Sequence, residues 1–137
     1  MKVVCTGNNL KSFSDGNILS RLKQYIFKPD GDVNLGVGRE YTVYGVLFRD
    51  NMPWYYLCDE DYDEYPTPFA SDFFEVVDDQ LSKYWKLSFI DLGEGQASTV
   101  LAFDEWASDR SFYERLIDGD DEAVSIFGKY RRLMEQE

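Results

Sequence analysis

The sequence predicts an α+β protein, a bent antiparallel sheet or small barrel followed by two C-terminal helices. Three observations support this. Residues 40–103 carry β-branched and aromatic runs separated by turn residues at hairpin spacing. From residue 104 onward the apolar positions change to helical periodicity. Successive strands are also close in sequence, which favours antiparallel neighbours, because a parallel pair needs a long crossover.

The elements follow in order. Lys2 to Thr6 reads as a valine-rich strand that Gly7-Asn8-Asn9 ends. Ile18, Leu19, Leu22, Tyr25 and Ile26 recur at helical spacing, so a short helix or an ordered excursion off the sheet is expected before Pro29-Asp30-Gly31. Glu40 to Arg49 and Trp54 to Cys58 form a hairpin about Asp50-Asn51. Phe73 to Val77 is a short strand, and Trp85 to Asp91 pairs with Ala97 to Phe103 through Gly93-Glu94-Gly95. That makes about six strands. Trp106, Tyr113, Leu116 and Ile117 share a face of a helix from Asp104 to Asp118, which Gly119 ends. Ala123, Phe127, Tyr130 and Met134 form the apolar stripe of the last helix. Its acidic start at Asp120-Asp121-Glu122 and basic end at Lys129, Arg131 and Arg132 suit the helix dipole. Nothing marks a linker, so residues 1–137 are expected to form a single domain.

Composition bounds the function. Aromatic residues make up 17% of the 137 residues, ample material for a core without metals or disulfides. Fourteen Lys and Arg face 26 Asp and Glu, a formal charge of −12. Such a charge repels phosphate backbones and attracts a basic partner, so a protein partner is expected and nucleic acid is not. No apolar run is long enough for a membrane span, and MKVVCTGNN lacks the pattern of a secretory signal. The expected setting is the cytoplasm, with Cys5 and Cys58 as free thiols.

The residues argue against catalysis. The chain has no histidine, which removes the histidine-based triads and dyads, the usual zinc ligand and the commonest general base. Paired carboxylates could still do acid–base work, but no spacing singles out a pair. Gly36-Val37-Gly38 lacks the rest of any phosphate-loop motif and reads as a turn entering a strand. Trp54, Trp85 and Trp106 sit in strand or helix patterns that favour core packing.

The most concentrated feature is Asp59-Glu60-Asp61-Tyr62-Asp63-Glu64-Tyr65, with five carboxylates in its first six positions. Its start is like a calcium loop, but Glu64 occupies the position that needs glycine and Ala70 the one that needs a bidentate glutamate. No metal or other cofactor is therefore expected. The segment reads either as a solvated loop or as an acidic binding loop in which Tyr62 and Tyr65 supply rigid contact surface. Pro66 and Pro68 would restrict it and lower the ordering cost of binding.

Leu35-Gly36-Val37-Gly38-Arg39-Glu40-Tyr41, Val43-Tyr44-Gly45-Val46, Tyr55-Tyr56-Leu57, Phe73-Phe74-Glu75-Val76-Val77-Asp78 and Ser82-Lys83-Tyr84-Trp85 occur in that order. This order resembles small bacterial proteins with an SH3-like β-barrel, of the type that includes immunity proteins of polymorphic or contact-dependent toxin systems. The resemblance covers residues 35 to 90 and carries no catalytic signature. It implies a non-catalytic binding protein that neutralises a cognate basic bacterial toxin domain by occlusion. Asp59, Glu60, Asp61, Asp63 and Glu64 would then face the partner's basic residues, with Tyr62 and Tyr65 as anchors. The alternative is an adaptor or regulatory module that binds a peptide in an aromatic groove of the barrel, near Trp54 and Tyr44. A third is a carboxylate-based enzyme or calcium-dependent protein. The sequence leaves the oligomeric state open.

Overall fold

A computed structural model describes the whole chain, residues 1–137. The fold is α+β, with two antiparallel sheets of three and five strands. In the smaller sheet β1 (Lys2–Cys5) lies between β2 (Glu40–Thr42) and β6 (Phe74–Asp78). The larger sheet also contains β3 (Gly45–Arg49), β4 (Met52–Leu57), β5 (Thr67–Ala70), β7 (Trp85–Gly93) and β8 (Gln96–Phe103), in the order β5-β4-β3-β8-β7. The sheets do not close into a barrel.

Two hydrophobic cores both draw on strand β4 of the larger sheet. Tyr55 and Tyr56 are neighbours on β4, so they project to opposite faces. Tyr55 packs with Val46, Val3, Cys5, Tyr41 and Phe74 of the first core, beneath the smaller sheet and helix α1 (Gly16–Leu22). Tyr56 packs with Ala102, Phe103 and Trp106 of the second core. That core is covered by α2 (Asp104–Ser108), α3 (Phe112–Ile117) and α4 (Asp121–Glu135). Aromatic edges and faces fill it: Tyr56 meets Trp106 edge-on at 4.7 Å, and Phe103 stacks on Tyr130 at 4.2 Å.

Several expectations hold with local changes. Asp50 and Asn51 both have positive φ, 53° and 61°, the geometry of a two-residue hairpin turn between β3 and β4. Helix α4 begins as expected, with the Asp120 carboxylate accepting from Ala123 N–H at 3.1 Å. Helix α1 is short, is capped by Asp15, and ends at Leu22 rather than continuing to Ile26.

Other expectations are corrected. The run Glu40 to Arg49 is two strands, one in each sheet. At the crossing Tyr44 N–H donates to Tyr56 carbonyl at 2.8 Å. Gly45 lies so close to the Trp106 ring and the Leu101 carbonyl that a Cβ there would come within 3.1 Å of that oxygen. Strand β5 was not expected, since Pro66 and Pro68 read as restraining a loop, yet β5 is an edge strand, where proline is tolerated. The expected helix from Asp104 to Asp118 is interrupted at Asp109, whose carboxylate accepts from Ser111 N–H at 2.9 Å. Three helices therefore follow the sheet instead of two.

Phe103 is fully buried between the Trp106, Phe112 and Tyr130 rings. Phe103→Ala should lower unfolding free energy by about 3–5 kcal/mol in urea titrations. Val124→Ala on the exposed face of α4 should change it by no more than about 0.5 kcal/mol.

Candidate functional site

The acidic segment forms the connection from β4 to β5 and is held by both layers of the fold. Its first turn is local. The Asp59 carboxylate accepts from the N–H groups of Asp61 at 3.0 Å and Tyr62 at 2.7 Å, as aspartate does in Asx-turns. Glu60 turns inward, its side chain 29% exposed, and accepts from the Arg39 guanidinium and the Tyr41 hydroxyl. Tyr41 is itself an acceptor for Gly36 N–H at 2.8 Å. A Cβ at Gly36 would lie 2.9 Å from Glu60 Oε1, so a side chain there would push the Glu60 carboxylate aside. Asn34 braces the same turn, donating to Asp61 at 3.0 Å.

The second half of the loop is tied to the helical layer. Arg131 of α4 donates to the Asp63 carbonyl at 2.8 Å and lies 3.6 Å from its carboxylate. Arg131 also pairs with Glu135 at 3.1 Å, and Glu135 accepts from the buried Tyr44 hydroxyl at 2.7 Å. Tyr62 and Tyr65 meet edge-on at 4.9 Å, and the Tyr62 hydroxyl donates to Glu64 at 3.1 Å. Tyr62 is 42% exposed, whereas Tyr65 is half-buried against the second core.

Between the loop and α4 lies a cleft of about 460 Å³. Six carboxylates line it (Glu40, Asp59, Glu60, Asp61, Asp63 and Glu135), against the two guanidinium groups of Arg39 and Arg131. Its lining is thus four charges negative by this count, and the arrangement favours a cationic group over an anionic one. The carboxylates differ in what remains to them. Glu60 and Asp63 are paired within the fold, whereas Asp59, Asp61 and Glu64 form no ion pair. No three acidic or thiol groups converge as a metal site.

Burial pushes the Cys58 thiol up to about 11, with Arg131 opposing and nearby Asp63 and Asp59 adding to the rise. Burial also raises the Tyr41 hydroxyl to about 12, reinforced by its hydrogen bond to Glu60. Burial alone would raise Glu135, but the hydrogen bonds from Tyr44 and Arg131 outweigh it and hold the carboxyl below its ordinary value.

Of the seven residues expected at the site, Asp59 to Asp63 line this cleft, whereas Glu64 lies outside it and Tyr65 packs against the second core. Arg39, Tyr41, Arg131, Glu135 and Gly36 were not expected, since each reaches the loop only through the fold. A Gly at a strand entry gives no sign that a carboxylate will rest on it. Trp54 and Tyr44, expected beside an aromatic groove, are each 4% exposed and belong to the two cores. Comparisons with protein families, curated proteins and solved structures found no match to this chain.

Two outcomes follow from these proton affinities. At pH 8 a thiol at about 11 is only about one part in a thousand thiolate, so Cys58 alkylation by iodoacetamide should be slow and still rising with pH above 9. The stability contributed by Glu135 is present above its unfolded value of 4.5 and is lost as pH falls through its lower folded value. Glu135→Gln should therefore lower stability at pH 7 and flatten the acid limb of a melting-temperature profile.

Proposed function

We propose that this protein is a non-catalytic binding protein, an immunity protein that neutralises a basic bacterial toxin domain by covering its active surface. The observation that supports this is the pre-formed acidic loop at residues 59–65. Glu60 and Asp63 fasten it to Arg39 and Arg131, and the Asp59 cap fixes its turn. A loop already held in place loses little conformational entropy on binding. Asp59, Asp61 and Glu64 keep uncompensated charge at its surface, beside the half-exposed Tyr62 ring. Like charges so close are unfavourable in the free protein, and a basic partner relieves that repulsion. The −12 charge of the chain extends the same field over a longer range and speeds encounter. The −4 cleft beside the loop has room for a long basic side chain of the partner.

The division within the loop refines the roles. Asp59, Asp61 and Glu64 make the charge contacts, Tyr62 is the anchor, and Glu60, Asp63 and Tyr65, with the cap that Asp59 also supplies, hold the loop in place.

The test begins with capture of partners from lysate of the native cell, eluted in a salt gradient. A stoichiometric basic protein released by moderate salt is the expected result. With that partner purified, replacing Asp59 and Asp61 by Asn and Glu64 by Gln should slow association on the order of 10-fold at low salt. The salt dependence of the association rate should flatten in the same variant. Association unchanged in rate and salt dependence would remove the loop from the interface.

A further inference from the structure

A second hollow lies over the first core. It has a volume of about 220 Å³ and apolar walls formed by Leu22, Ile26, Trp54, Phe69 and Phe73, among others. Arg49, the last residue of β3, closes one side. Its guanidinium carbon lies 4.2 Å from the Tyr25 ring centroid and 4.1 Å from that of Trp54. The Trp54 indole N–H donates to the Arg49 carbonyl at 3.2 Å, which keeps the pair in register.

The electrostatics of Arg49 are unusual for this molecule. Four other basic side chains that are not fully exposed, Lys2, Arg21, Arg115 and Arg131, each have a carboxylate within 4.0 Å. Arg49 has none, and its Nε is buried without a hydrogen-bond partner. Asp50, its neighbour in sequence, accepts from the Tyr25 hydroxyl instead. The aromatic faces attract the cation by roughly 0.5–2 kcal/mol. They do not supply the in-plane oxygen acceptors that guanidinium N–H groups seek. In a chain with 26 acidic residues, Arg49 is thus a partly buried cation with no carboxylate within 4.0 Å.

The hollow also has an approach. A shallower depression of about 370 Å³ shares four apolar or aromatic residues with it and opens between Phe27, which is 84% exposed, and the side chains of Lys28, Asp32 and Asp59. The inner hollow alone lies below the range of about 300–1,000 Å³ in which drug-sized ligands bind, which limits its occupant to a small molecule.

We infer that this hollow binds a small amphipathic carboxylate, its apolar body of about phenyl size among the apolar walls and its carboxylate on Arg49. The guanidinium carbon stays against the two rings while its planar fork of N–H groups meets the carboxylate, an arrangement open to arginine and not to lysine. Burial of the apolar body supplies the remaining affinity. The site differs from the acidic loop in the sign of its salt response. The −12 field repels an anion, so raising salt should preserve or strengthen binding here while it weakens binding of a basic protein.

The test is a titration of the protein with phenylacetate and, separately, with its neutral amide, phenylacetamide. Nuclear magnetic resonance would read the Arg49 Nε–H and Trp54 indole signals. Phenylacetate should shift both saturably, with a dissociation constant at or below about 1 mM and about tenfold tighter than the amide. Arg49→Gln should erase that preference. Equal affinity for acid and amide in the unmodified protein would overturn the proposal without reference to any variant. So would the absence of saturable shifts at these two groups. Failure of the acidic loop to bind a basic partner leaves this result untouched, because Arg49 and Trp54, which read out the carboxylate, take no part in that loop; of the loop residues only Asp59 borders the outer depression.

Discussion

Strand β4 has no face toward solvent, and the rest of the structure follows from that constraint. Trp54, Tyr55, Tyr56 and Leu57 are consecutive and all buried. A strand alternates its side chains, so burying four in a row requires a layer on each side of the sheet. The first core, with the smaller sheet and α1, takes Trp54, Tyr55 and Leu57, and the second, with α2, α3 and α4, takes Tyr56. Apolar area alone would be satisfied by many arrangements, but the paired tyrosines also need partners for their hydroxyls or access to water.

The same constraint places the acidic loop. The chain leaves β4 at Leu57, where both covering layers are within reach. Glu60 turns toward the first layer and meets Arg39 and Tyr41. Asp63 turns toward the second and meets Arg131. These exposed ion pairs contribute little to global stability, on the order of 1 kcal/mol or less each. Their effect is geometric, because two anchors from opposite sides leave the turn at Asp59 to Tyr62 few alternatives. A run of carboxylates that would otherwise repel itself into an extended ensemble becomes a defined surface.

The larger elements were legible where pattern and burial agree. The hairpin about Asp50-Asn51, the paired strands about Gly93-Glu94-Gly95 and the amphipathic stripe of α4 all appear where periodicity and turn chemistry put them. The misreadings share a cause. The chain changes sheets at Val43-Tyr44 inside what reads as one continuous strand, because β propensity does not distinguish two sheets from one. Pro66 and Pro68, read as loop restraints, hid β5, since sequence cannot tell an edge strand from a central one. The interruption at Asp109 was hidden within a helix-like pattern, because a single aspartate cap competes with helix only once the flanking aromatic residues are fixed by packing.

The sequence by itself determined the class of the protein, the acidic character of its surface and the position of its most charged segment. These properties depend on composition and on contacts between near neighbours, which a linear reading retains. Only the tertiary structure decided which carboxylates in that segment are spent internally and which remain free. Arg39 and Arg131 stand 21 and 68 residues from their acidic partners in the chain, and such pairings leave no local signature. The same holds for Arg49, which lies unpaired in an acidic protein because the fold turns Asp50 toward Tyr25. Charge is additive along a sequence, but its neutralisation is a matter of distance in space.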